Sequence, residues 1–485
     1  MRRSFSGLNP APRVLVVGLS VVGMASGALL AATQAVSAQP APQATIWLRP
    51  QAVAPLPGGL DTVLVVNDNN PELISGPGIL LSTFAAGKRG VAAAHLDVPL
   101  QGRFDLFSHH VYAGRPESLD STLWMAVVAR PRGPRPVNLR LLAGSTALSQ
   151  SVDPTQSGAP FLPLPAVLPQ GLTPVFAGPG SRVATELLLR QRSAQLPEQW
   201  LLPADALTTL MVLPLPVRGL DPLLNGRNLQ LRLHSDGPLD LATLAAFGPN
   251  DQAPPPETWA RLLDGPLSPK EHQASPRGAP GAMIYSRVSG VQVGSTWSGR
   301  ITDPGQAWLS TSRAPLSWPI ASLERGSLGT AQVQTAALKA YYPGTAWAAH
   351  GNYGVEYDLT IPLRNTSARP AALRLALESP LKGNQALGGL RFNSTPAKAV
   401  MFRGTVEVSG LDAPGPGRQG FHLVLRQGQP GPALGTVTLA PGAERSLRVR
   451  LIYPADATPP QVLSLLPVEA PVKQSQPAPV PVAAP

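Results

Sequence analysis

Residues 353–379 read YGVEYDLTIPLRNTSARPAALRLALES, and the period of this stretch decides the fold class. Tyr353, Val355, Tyr357, Leu359, Ile361 and Leu363 hold the odd positions, while Gly354, Glu356, Asp358 and Thr360 hold even ones. Side chains on a strand point alternately to opposite faces, so an apolar residue at every second place predicts a half-buried strand. After the turn RNTSARP, Ala371, Leu373, Leu375 and Leu377 alternate against Arg374 and Glu378. That predicts a second strand, and the two are expected to lie side by side as antiparallel neighbours.

Working outward, the same piece recurs. RPRGPRPVNLRLLAGS at 130–145 agrees with RNTSARPAALRLALES at 364–379 in seven of sixteen positions, at an offset of 234. LQLRL at 229–233 is echoed by LRVRL at 447–451. Such self-similarity predicts two copies of one unit, although unrelated hairpins with generic turn chemistry would give the same echoes. The expected fold is mainly β, with two tandem β-sandwich-like modules read as a duplication and a few short helices. The first module, with an extended N-terminal segment, is assigned to 39–250. A proline-rich linker with a helical pattern at Glu257–Leu263 is assigned to 251–282, and the second module to 283–466. A further helix is predicted after AGPG, with Ser181 as its N-cap, running to Arg192. The proline- and alanine-rich stretch at 467–485 is expected to be a disordered tail.

Composition agrees with this plan. A chain of 485 residues, 43% hydrophobic, is long enough for more than one core. Its 57 prolines and 46 glycines suit many short elements joined by turns. Arg2, Arg3 and Arg13 flank an uncharged, mostly apolar run from Val14 to Ala32, and Val36-Ser37-Ala38 has the small-residue form of a cleavage site. Residues 1–38 are therefore read as a signal peptide and the protein as exported, to the periplasm or the outer cell surface; retention as an anchor is the alternative. No second long apolar run follows, so no transmembrane span is expected after signal removal. The chain has no cysteine, which excludes disulfides, thiol chemistry and a cysteine-linked lipid anchor. The formal charge of +11 becomes +8 without the three leader arginines, and it favours anionic surface polymers as partners. Charged residues are only 14% of the chain and the arginines are spread out, which argues against nucleic acid.

Several phrases together resemble one known family: RPQAVAPLPGGLDTV at 49–63, GPGILLSTF at 76–84, AHLDVPLQGRFDLFSHH at 94–110, AHGNYGVEYDLTIPL at 349–363 and LIYPADATPPQVL at 451–463. They are similar to a cyanobacterial family of exported proteins of unknown function. The resemblance covers nearly all of the mature chain. It implies an envelope address and a shared full-length fold, and it carries over no reaction, ligand or site residue.

Two candidate sites stand out. If 94–110 is a hairpin turning at Gln101-Gly102-Arg103, alternation brings His95, Asp97, Asp105 and His109 to one face, where they could hold a divalent metal or share a proton. The plainer reading is a polar sheet face, with His110 packed in the core. The second candidate is the aromatic loop YYPGTAWAAH, whose Tyr341, Tyr342, Trp347 and His350 could stack on sugar faces or fold back to cap the sandwich. No Gly-x-Ser-x-Gly elbow, zinc helix or phosphate loop is present. The leading expectation is a non-catalytic envelope protein, without a cofactor, that binds wall or surface polysaccharide. The alternatives are an enzyme acting on envelope material through the histidine–aspartate face, and a structural component that binds other envelope proteins.

Overall fold

The computed structural model describes residues 45–468, apart from 87–89, 115–121, 152, 154–155, 172, 249–250, 282 and 285. The leader and almost all of the tail lie outside the described residues. The first strands are β1 (Ile46–Pro50), β2 (Ala52–Val53), β3 (Gly59–Leu60), β4 (Leu64–Leu73) and β5 (Gly78–Ser82). Then come β6 (Leu100–Ala113), β7 (Thr122–Pro131), β8 (Val137–Leu148) and the short β9 (Val167–Pro169). Helix α1 (Pro179–Leu188) leads to β10 (Gln199–Leu202), β11 (Thr208–Pro216) and β12 (Leu224–Phe247), and helix α2 (Pro256–Leu263) follows. The second half contributes β13 (Val288–Val293), β14 (Thr296–Arg300), β15 (Leu309–Ser310), β16 (Leu316–Ile320), β17 (Leu338–Tyr341), β18 (Glu356–Arg364) and β19 (Ala371–Glu378). It ends with β20 (Gly389–Asn393), β21 (Val400–Ser409), β22 (Gln419–Arg426), β23 (Ala433–Leu439), β24 (Glu444–Ile452) and β25 (Gln461–Pro467). The protein is mainly β, and the described residues form several sheets with no barrel among them.

In the first half the organising element is β12, a strand of 24 residues that changes partners midway. Its front portion lies between β6 and β8; after an irregularity between Ser235 and Leu239, its back portion lies between β7 and β5. Gly237-Pro238 occupies that break, where proline could not donate to a ladder and glycine tolerates the bend. Leu229, Leu231 and Leu233 from the front pack with Leu239 and Leu241 from the back, against Phe104, Leu106, Val127 and Leu213. Each such buried leucine contributes roughly 1.5–3 kcal/mol of transfer free energy.

The second half is a sandwich. One layer runs β3-β14-β18-β24-β21-β22-β9 and the other β2-β16-β25-β19-β23. Tyr357, Leu359, Ile361 and Leu363 of β18 meet Leu373, Leu375 and Leu377 of β19 across its core. This corrects the expected pairing: β18 bonds to β14 and β24, and β19 to β23 and β25, so RNTSARP is an arch between layers. Asn365 builds the arch, its Nδ2 donating to Arg369 O at 2.7 Å and Leu439 O at 2.9 Å. Alternation buries one face equally well in a hairpin or an arch, so it could not choose between them.

The halves exchange strands. β1, β2, β3 and β9 pair with strands of the second half, while β13 and β17 extend the first-half sheet beside β4. Nor do the repeated phrases occupy matching places. LQLRL in β12 pairs with β8, the strand after its turn, whereas LRVRL in β24 pairs with β18, the strand before its turn.

Glu356 of β18 forms an ion pair between the halves and is held by a second-half arginine. Arg232 Nη2 reaches Glu356 Oε2 at 2.7 Å, Arg450 Nη2 reaches Glu356 Oε1 at 2.7 Å, and Arg450 Nη1 reaches Glu407 Oε1 at 3.0 Å. Helix α1 is wedged there, with Val183, Ala184 and Leu187 against Ala143, Ala147 and Ile452. Its N-cap is Gly178, not Ser181, because Asp456 from the second half accepts the Ser181 N–H at 2.8 Å while the Ser181 hydroxyl bonds back to Ala177 O and Gly178 O. The helix also stops at Leu188, short of Arg192. Helix α2 falls where expected, and its Trp259 and Leu263 pack on Ala126, Val128 and Leu244 of the first half.

Candidate functional site

The histidine–aspartate face does not assemble. Residues 100–113 form one continuous strand, with Gly102 at φ 67 opposite Ser235, so no hairpin turns at 101–103. Asp105 and His109 are four residues apart on that strand, which is roughly 13 Å of rise. His109 Nδ1 is 3.0 Å from Asn228 Oδ1, and burial lowers its pKa to about 4. Asp105 is buried against Arg103, and burial raises its pKa. His95 belongs to a different neighbourhood: Nδ1 lies 2.8 Å from Ser82 Oγ, and burial lowers its pKa. Asp97 is exposed and pairs with Arg132 at 2.9 Å. Among the described residues no group of three or more carboxylates and imidazoles is arranged to hold a metal.

Two other groups of side chains have the residue types of an enzyme site. Asp68, His110 and Ser108 share one sheet face, with His110 Nε2 at 2.8 Å from Asp68 Oδ2, but all three are at most 2% exposed and no substrate could reach them. His110 is thus the packed core residue expected. Ser379-Pro380-Leu381-Lys382 carries a Ser-x-x-Lys spacing that the sequence reading missed. Ser379 is buried and its backbone pairs with Gln429, with no helical turn to bring hydroxyl and amine together.

The aromatic loop divides. Tyr342 is 1% exposed; its hydroxyl donates to Ala94 O at 2.9 Å and accepts the Ser82 N–H at 2.8 Å. It is a core pin and not a ligand platform. The preceding Tyr341 is 43% exposed, as period two requires of adjacent residues at a strand end. Tyr341, Trp347 and His350 line one groove of about 530 Å³ with Arg277, Ile284 and Val333. The Arg277 guanidinium lies 5.1 Å above the Trp347 ring, close enough for a cation–π contact. Burial lowers His350 to about 4, so at neutral pH it presents an uncharged imidazole.

The floor of this groove is fixed by ordinary backbone chemistry. Ala346 N donates to Arg287 O at 3.0 Å, Lys270 Nζ donates to Gly344 O at 2.6 Å, and Ser275 N donates to Ile284 O at 3.0 Å. Arg325 grips the Gly281 and Ala279 carbonyls, tying residues 279–281 to the second half beside the groove. The groove therefore lies at the end of the first-half sheet, at β17, and is lined by residues between 274 and 350. Arg325 also borders a second, polar hollow of about 560 Å³ lined by Lys382, Asn384, Gln385 and Arg391. Together the two offer Arg277, Arg325, Lys382 and Arg391 against one lining carboxylate, Glu324. Sequence reading missed these cations because they come from separated loops, SPRGAPG, LERG and LKGNQALGGLRF, with no shared period.

Fold and groove define a mainly β protein whose two interlocked halves present a ring-and-guanidinium cleft, without an assembled metal or acid–base centre among the described residues. The chain belongs to the DUF3370 family, proteins of unknown function, whose profile matches residues 51–467. No curated protein matches the sequence significantly.

Proposed function

We propose that the protein is a non-catalytic, exported binder of an acidic polysaccharide of the cell envelope. The observation that carries this reading is the pairing of the Tyr341 and Trp347 rings with four cations along two hollows that meet at Arg325. Rings of this kind offer apolar area to sugar faces at small entropic cost, and guanidinium groups bind carboxylate or sulfate substituents in bidentate fashion. The leader pattern of residues 1–38, the positive charge and the resemblance to cyanobacterial exported proteins support the envelope address. An enzyme built on His95, Asp97, Asp105 and His109 is disfavoured by their separation, and no observation singles out a partner protein.

Cosedimentation of the purified protein with an acidic and a neutral envelope polysaccharide, at low and high salt, tests the reading. Binding to the acidic polymer should persist in part at high salt and fall at least about tenfold in Tyr341→Ala/Trp347→Ala, a loss of about 1.4 kcal/mol or more. Lys382→Ala/Arg391→Ala should remove most of the salt-sensitive part. Binding that is unaffected by the aromatic pair, or equal for neutral and acidic polymers, would sink the proposal.

A further inference from the structure

On a different face, where helix α1 ends against the second half, Arg190, Arg418, Arg448 and Arg450 line one pocket of about 370 Å³. They come from three places in the chain: Arg190 follows α1, Arg418 precedes β22, and Arg448 and Arg450 stand two apart on β24, so their side chains share a face. The carboxylates that pair with them lie outside the pocket lining. Asp358 takes Arg448 through its Nε and Nη2 at 2.8 and 2.6 Å, Glu356 and Glu407 take Arg450, and Glu407 is 3.4 Å from Arg418 Nε. Those pairings leave Arg448 Nη1 and both terminal nitrogens of Arg418 available.

Arg190 is the informative member. It is exposed, and among the described residues its guanidinium has no hydrogen-bonded or ionic partner. Its backbone sits at φ 57, the left-handed position after a helix C-terminus where glycine is the usual occupant. A side chain with a Cβ is strained there, and such an outlier motivates a hypothesis of function. Here the backbone turn sends Arg190 to the rim of a pocket that already holds three guanidinium groups.

We infer that this pocket is a second, separate binding site, for a tetrahedral oxyanion of the phosphate or sulfate class, either free or carried on a sugar. Two fixed arginines on β24 form the base and two less constrained ones close over it, a donor arrangement that suits an anion with several acceptor oxygens. The site shares no residue with the ring-lined groove, so it stands or falls independently of polysaccharide binding.

Isothermal titration of the whole protein with inorganic phosphate, sulfate and glucose 6-phosphate tests it. Saturable binding of at least one is expected, weakened about tenfold or more in Arg190→Gly and in Arg418→Ala. Tighter binding of the sugar ester than of inorganic phosphate would identify a polymer-borne group, and the reverse a free ion. Arg190→Gly serves as its own folding control, because glycine fits φ 57 and the thermal midpoint should hold or rise. No saturable binding, equal binding in wild type and both variants, or weak binding to all that simply screens away with salt would overturn the inference.

Discussion

His422 shows how one buried side chain ties pH to the assembly of the two halves. Its Nε2 accepts the Ala177 N–H at 3.2 Å, just ahead of α1, and its Nδ1 lies 3.4 Å from Thr405 Oγ1. Burial, then the Arg403 charge, lowers its pKa to about 4. The folded state therefore holds neutral imidazole, and the unfolded chain takes up a proton at higher pH than the fold does. That stability is complete above about pH 6.5 and is lost as pH falls toward 4, by roughly 3 kcal/mol at most. His422→Gln should flatten this acid limb in urea melts taken from pH 7 to 4.5, and an unchanged limb would refute the assignment. Legibility at this scale was mixed. Tyr357 was readable as inward-facing because alternation suffices to say so. Pro343-Gly344 marks both Tyr341 and Tyr342 as loop residues in the sequence, yet Tyr341 ends a strand and the two point oppositely.

Elements were legible by type more than by partner. The strands around Leu359 and Leu375 and the helix at Glu257–Leu263 followed from period, but the arch at Asn365 did not, since a strand's apolar face records burial and not its neighbour. The 94–110 hairpin failed for a related reason: Gly102 with a flanking proline mimics a turn, while the run of buried residues in β6 continues beyond it. Helix α1 lacks a side-chain cap of its own and takes Asp456 instead, an acceptor supplied by tertiary structure that no local window contains. Burial raises Asp456 to about 7. Asp456→Ala should cost about 1–2 kcal/mol by removing that acceptor, seen as a lower urea midpoint with an unchanged slope. Asp456→Asn, which keeps a carbonyl oxygen there, should lose less than half as much, and equal losses would argue against capping.

At the scale of the molecule, composition suggested two modules with a break near 250–282, and the ladders show the halves lending strands to one another. The second sandwich takes β2 and β3 from residues before 61, and Arg49 beside them bonds Glu378 through Nη1 at 3.0 Å. Residues 251–468 produced alone should therefore lack native structure, showing weak dispersion in amide spectra and no cooperative melt. A well-dispersed spectrum from that fragment would show the borrowed strands to be dispensable. The same borrowing sets an order of events during synthesis. Arg49 and Glu378 are 329 residues apart, so strands made early must wait for partners made late. Closing so long a loop is slow, because its entropy is lost before the contacts form. The second-half sheet is complete only once β25 has joined β16 to β19, and a ribosome that stalls before residue 296 releases a chain whose β1, β2 and β3 have nothing to pair with.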